Sequence, residues 1–190
     1  VRILELLPSG VPVLCCTATA NDRVVDDVAT QLGATMNVVR GPLTRDGLSL
    51  QVIDLPDAAE RLCWLDHHLG KLPGSGIIYC LTVDDTRRVA EWLSQRGHSV
   101  MAYSGGLENE HRLDAEAALQ ANEIKALVAT TALGMGYDKP DLGFVVHFQA
   151  PGSPVAYYQQ VGRAGRALDS SVAVLLRGTE DAQIQDWFIQ

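Results

Sequence analysis

Hydrophobic and polar positions form a repeating series over most of the chain. Leu48 to Leu55 alternates apolar and polar residues, the period of a strand, and Asp57 to Leu69 then brings Leu62, Leu65 and Leu69 onto one helical face. Gly76 to Leu81 (GIIYCL) is a short, uninterrupted apolar run. A helix is predicted from about Asp84, with Val89 and Leu93 turned inward and Gly97 as its stop. The pattern goes on with strand Ser99–Tyr103, helix Asn109–Ala121, strand Ile124–Thr130 and strand Gly143–Phe148. It ends with helix Pro154–Gln160, strand Ser171–Leu176 and helix Glu180–Ile189. Apolar strands alternating with helices predict right-handed βαβ units, hence an α/β fold with a parallel sheet covered on both faces. Such sheets bind ligands at the carboxyl ends of their strands, which points to the loops after Cys80, Tyr103, Thr130 and Phe148.

Residues 1–35 stand outside this series. Val11 to Cys16 reads as a buried strand, followed by Thr17 to Ala20 (TATA) and a helix from about Asn21 to Leu32. The division expected is therefore a βα remnant of a different sheet at 1–35, a linker at 36–47 and the main domain at 48–190. A strand without sheet neighbours has two unpaired edges. The expectation is that the remnant is disordered, packs on the main domain, or pairs with another copy in a strand-mediated dimer.

Composition narrows the classes. A chain of 190 residues that is 47% hydrophobic and 20% charged can bury a sizeable core. The long uncharged stretch Leu142–Gly162 is broken by Pro151, Gly152 and Pro154, so it cannot cross lipid as a helix. Pro8, Ser9 and Gly10 interrupt the first apolar run where a signal peptide would need continuity. A soluble protein of the cytoplasm is expected. The net charge of -8 excludes a protein held to nucleic acid by bulk charge, but leaves room for a few local phosphate contacts. Twelve of the fifteen basic residues are Arg, whose fork suits phosphate. Cys15, Cys16, Cys63 and Cys80 form no CxxC pair. Cys63, His67 and His68 share one predicted helix with no second ligand pair near, so no metal site is expected. The thiols are read as reduced and mostly buried.

Two segments carry chemistry. In Tyr157–Arg166 (YYQQVGRAGR), Arg163 and Arg166 are three apart, so both guanidinium groups can point the same way from a helical turn. Gly162 and Gly165 remove side chains that would keep a phosphate from the backbone. Two permanently charged forks suit the charge that develops on a transferring phosphoryl group, where one such arginine contributes about 10³–10⁵ in rate. In Ala129–Phe148 (ATTALGMGYDKPDLGFVVHF), a strand ends in Thr130 and Thr131. A turn with Gly134 and Gly136 then lets backbone N–H groups approach an anion. Asp138 follows, suited to accept from a sugar hydroxyl, and Lys139 reads as a phosphate contact or a solvated cation.

Together these segments resemble the second RecA-like lobe of superfamily 2 helicases, most closely the RecQ family. The resemblance extends to TATA as motif III, GIIYCLT (Gly76–Thr82) as motif IV, and AYSGGLENEHR (Ala102–Arg112) as the loop-plus-Arg segment. LGMGYDKPDLGFVVHF is similar to motif V and YYQQVGRAGR to motif VI. It implies a RecA-like P-loop NTPase fold and a role in an ATP-dependent DNA helicase acting 3′ to 5′ in repair or recombination. By likeness Gln159, Gly136 and Asp138 would bind ATP, with Arg163 and Arg166 catalytic. Thr82, Ser104, Gly105 and Thr130 would touch the DNA backbone, and Thr17 and Thr19 would couple nucleotide state to movement. Phosphate contacts of that type position a strand without reading its bases. ATP and Mg²⁺ would be held mainly by a first lobe, the partner across a closing cleft, because this sequence has no GxxxxGK[ST] loop and no Asp-Glu-x-His or Asp-Glu-x-Asp motif.

Some positions depart from the family's usual pattern. Gln160 stands where Glu is usual, Ala167-Leu168 where Asp-Gly follows the arginine motif, Ser104 where His precedes the loop glycine, and Asp84-Asp85 in the segment after Cys80. A Cys-based phosphatase reading fails because Thr86 stands where the loop arginine belongs. A dinucleotide-binding reading fails because Gly74-Ser75-Gly76 precedes its strand instead of following it. A Ski2-like or DEAD-box RNA helicase lobe and a protein-docking module are the alternatives, against which the GMG, KPD and YYQ elements favour the RecQ-like DNA enzyme.

Overall fold

The computed structural model describes residues 6, 8, 10–17, 20–32, 36–41, 45–133 and 137–189. The chain divides into two units, Val1–Thr44 and Arg45–Gln190. In the first, Asn21 Oδ1 accepts from the Val24 amide at 2.9 Å and starts helix α1, Asp22–Leu32, which buries none of its residues. Val11–Thr17 is exposed and carries no strand. The expected strand at Val11–Cys16 is thus absent: an apolar run becomes a strand only with a ladder partner, and none lies beside it among the described residues of its unit. Pairing of two copies through such a strand loses its basis.

The second unit is a six-stranded, all-parallel sheet with helices on both faces. In chain order it runs β1 (Leu48–Asp54), α2 (Ala58–His68), β2 (Ser75–Tyr79), α3 (Val83–Gln95), β3 (Val100–Tyr103) and α4 (Asn109–Gln120). It continues with β4 (Ala126–Ala129), β5 (Leu142–His147), α5 (Pro154–Val161), β6 (Ser171–Arg177) and α6 (Asp181–Ile189). The spatial order is β1-β6-β5-β2-β4-β3, so β1 and β3 are the edges.

Local chemistry sets the boundaries. Asp57 and Glu60 form a capping box at the start of α2, and Ser153 caps α5 with Pro154 in its first turn. Past the end of α3, Gly97 takes φ +90° and the His98 amide returns to the Leu93 carbonyl at 3.0 Å, closing the helix as the sequence predicts.

Central strands are apolar throughout because both faces are covered. Ile78 and Cys80 pack with Leu65, Leu69, Val89 and Leu93 of the α2–α3 layer. Ile77 and Tyr79 pack on the opposite face with Ala115 and Leu119 of α4 and with Ala164. Edge strand β1 differs from its sequence pattern: Leu50 and Val52 are 57% and 59% exposed although they alternate as core residues would. The thiols also differ. Cys80 is buried, but Cys15, Cys16 and Cys63 are exposed, the first two on the strandless segment and Cys63 on the side of α2 away from Leu65.

Candidate functional site

The arginine segment leaves α5 in a tight turn. Gly165 has φ +64°, and a Cβ there would run into the Ser171 side chain, so glycine is required on both counts. The amides of Gly165 and Ala167 donate to the carbonyls of Leu142 (2.6 Å) and Pro140 (2.8 Å), fastening the turn beside the start of β5. Arg163 Nη1 donates to the Tyr137 carbonyl at 3.0 Å. Arg166 Nη1 pairs with Asp138 Oδ1 at 2.6 Å while its Nε donates to the Gly162 carbonyl at 3.3 Å. Both arginines therefore converge on Tyr137–Asp138, the two segments that the sequence singled out. Arg166 and Asp138 are about half exposed. Gln159 is exposed on α5. Gly136 and Thr19 lie outside the described residues; Thr17 is described and exposed.

This cluster sits at the amino ends of β5 and β6, whereas the sequence pointed to loops at the carboxyl ends. Strand β4 ends at the carboxyl edge, whereas Asp138 lies just ahead of β5, at the amino edge. The arginines follow α5, which returns the chain toward the start of β6.

The carboxyl edge holds the other set. Thr82, Ser104, Gly105 and Thr130 follow β2, β3 and β4, three strands adjacent in the order β2-β4-β3. The Thr130 amide donates to the Tyr103 carbonyl at 3.2 Å, and Thr130 Oγ1 accepts from the Ala132 amide at 3.2 Å. Ser104 and Thr130 are buried, at 5% and 8% exposure, and Gly105 is exposed. Thr82 caps α3: its hydroxyl accepts from the Asp85 amide at 3.0 Å and donates to Asp85 Oδ2 at 2.8 Å. The single donor of that hydroxyl is spent within its own helix. Gln149 braces the same point, accepting from the Leu81 amide and donating to Asp85, each at 2.9 Å.

Several groups behave differently from the sequence reading. Lys139 is buried at 2% exposure and pairs with Asp141 at 2.8 Å, so it is neither a phosphate contact nor solvated. Its ammonium also holds down the Asp141 carboxyl's pKa. His67 Nε2 meets Lys71 Nζ and His68 Nδ1 meets the Trp64 carbonyl, both at 2.8 Å. No cluster of metal-ligating side chains occurs among the described residues. Burial pushes the Cys80 thiol up, away from the reactive thiolate.

Sequence reasoning missed three residues around the site. Arg45, read as linker, donates from Nη1 to the Gly162 carbonyl (3.0 Å) and from Nη2 to the Ala164 carbonyl (2.5 Å). His147, at the end of β5, is buried with Nε2 2.8 Å from Gln160 Oε1 and its ring stacked on Tyr79. Gln149 is the third. Each acts on residues 13 to 119 positions away, and no local pattern marks such contacts. Burial drives the Tyr79 phenol up to about 12, against the nearby positive charge of Arg163.

Residues 58–168 match the family described as the Helicase conserved C-terminal domain. The chain is 35% identical over 182 residues to the probable ATP-dependent DNA helicase RecS of Bacillus subtilis, covering 94% of this chain and 36% of that protein. It is 37% identical to the ATP-dependent DNA helicase RecQ of Pasteurella multocida, over 82% of this chain and 24% of that one. The chain thus spans about a quarter to a third of the length of these curated relatives. Its fold is similar to that of the S. cerevisiae Dbp5 structure solved with RNA and ADP BeF3, with a TM-score of 0.80 and 23% identity. That match covers 98% of this chain and 51% of the Dbp5 chain. No helix among the described residues is long and apolar enough to cross a membrane.

Proposed function

The chain belongs to the family of helicase conserved C-terminal domains and resembles its RecQ-type members, and from that premise we propose that it is the second RecA-like lobe of an ATP-dependent DNA helicase. Residues 1–35 are the end of the preceding lobe and 36–47 the link between them. ATP and Mg²⁺ are held by the first lobe. Closing of the cleft brings Arg163 and Arg166 to the phosphates, with Gln159, Gly136 and Asp138 along the rest of the nucleotide. Thr17 and Thr19 transmit nucleotide state. Ser104, Gly105 and Thr130 hold the backbone of a single strand, and Thr82 joins them once its hydroxyl lets go of Asp85. Repeated closing and opening moves that strand 3′ to 5′ and unwinds duplexes in repair or recombination.

The observation that carries the reading is the convergence of Arg163 and Arg166 on Tyr137–Asp138, across 26 and 28 residues of sequence. The pair Arg166–Asp138 is half exposed and so worth only about 0–1 kcal/mol, weak enough for a phosphate to displace the carboxylate. In the two-lobe protein, Arg163→Ala or Arg166→Ala should lower steady-state ATP turnover by about 10³-fold or more. Wild-type turnover in either variant would remove that residue from the chemistry. Comparing unwinding of DNA and RNA duplexes by the same protein tests the choice of nucleic acid.

A further inference from the structure

We propose that Arg45 is a positioning residue for the arginine pair, fastening the turn that presents it. The inference rests on the reading of Arg163 and Arg166 as the phosphate-facing groups. Helix α5 ends at Val161, and its last carbonyls are met by the amides of Gly162, Arg163 and Ala164, which leaves the carbonyls of the turn beyond it to find partners elsewhere. Arg45 supplies one from 117 residues upstream: its fork takes the Gly162 carbonyl with one nitrogen and the Ala164 carbonyl with the other. A cation there also meets the negative end of the helix dipole.

Those two carbonyls flank Arg163. The rigid fork of a guanidinium fixes the spacing of the two oxygens it holds, and so the backbone of the residue between them. The Gly162 oxygen is also the one that Arg166 Nε leans on, so Arg45 and Arg166 share an acceptor. From the other side the Gly165 and Ala167 amides are tied to the lead-in of β5. The turn is therefore clamped twice: its amides by Leu142 and Pro140, its carbonyls by Arg45. Arg45 is the first residue of the second unit, so the fastening also ties the arginine turn to the point where the connector ends.

Misplacing a catalytic group by about 1 Å can cost about 10²-fold in rate. In the two-lobe protein, Arg45→Ala should lower kcat for ATP by about 10–100-fold with KM changed about twofold or less. Hydrogen exchange at the Gly165 and Ala167 amides should accelerate while the β1 and β6 amides keep their protection. Arg45→Lys keeps the charge but not the two-point fork and should recover only a minor part of kcat. Arg163→Ala and Arg166→Ala, measured alongside, separate the two claims. If those variants lose turnover while Arg45→Ala keeps it, Arg45 is not a positioning residue and the reading of the pair stands. If all three keep wild-type turnover, the reading of the pair falls and this inference with it. Full recovery by Arg45→Lys, or loss of protection across β1 and β6, would overturn the fork account in favour of simple charge or general stability.

Discussion

At the scale of single residues, His147 shows how the interior is kept neutral beneath α5. Its ring lies between Tyr79 and Tyr157, and burial lowers its pKa to about 4 against the partial support of the Gln160 hydrogen bond. Nε2 faces an amide oxygen and so carries the proton, which leaves Nδ1 buried without a partner. Where a RecQ-type sequence usually has Glu, Gln160 gives this imidazole no counter-charge. Above pH 6.5 the ring is neutral in the folded and the unfolded chain, so it adds no pH dependence to stability there. Between pH 6.5 and about 4 the unfolded chain takes up a proton that the folded one refuses, so stability falls by up to about 1.4 kcal/mol per unit. Denaturant midpoints at pH 7 and pH 5 should show this loss, and Gln160→Glu, which offers the charged ring a carboxylate, should reduce it. An unchanged or larger loss in that variant would mean that another group titrates in the window.

At the scale of elements, α6 is held to the sheet by a buried charge. Arg61 of α2 has no exposed surface; it donates to the Phe148 carbonyl at 2.9 Å and pairs with Glu180 and Asp181 at the start of α6. Its guanidinium also lies 4.7 Å from the centre of the Phe148 ring. Gly178 leaves room for it, since a Cβ there would collide with the guanidinium. Arg61→Ala should cost about 3–5 kcal/mol in equilibrium unfolding, because the carboxylates lose their buried partner. A loss below about 1 kcal/mol would reduce the cluster to the value of a surface pair. None of this was legible in the sequence, where Arg61 is one polar position of an amphipathic helix and its partners lie about 120 residues on. Helices and strands of the second unit were legible to within a few residues because caps, glycine stops and apolar runs are local, whereas the apolar run Val11–Cys16 carries no strand. The exposure of Leu50 and Val52 was not, since alternation says which residues share a face and not whether that face is covered.

At the scale of the whole molecule, the two candidate clusters occupy opposite ends of one parallel sheet, Arg163 and Arg166 at the amino ends and hydroxyl and amide donors at the carboxyl ends. The motifs themselves were readable, because each packs its chemistry into about ten residues. Their placement at opposite ends was not, because it depends on which end of β5 Asp138 comes to lie beside. Without a phosphate loop and magnesium carboxylates the isolated chain should show no ATP turnover, and steady hydrolysis by the pure chain would refute the division of labour between lobes. Its hold on single-stranded DNA should be weak, because at net charge -8 only a few donors at the carboxyl edge favour a phosphate. Those donors are neutral and displace few counterions, so log K should fall only shallowly with log salt, at a slope of about 0 to -1. A slope steeper than about -5 would require a basic surface larger than this edge provides, and would move the nucleic-acid contact elsewhere on the protein.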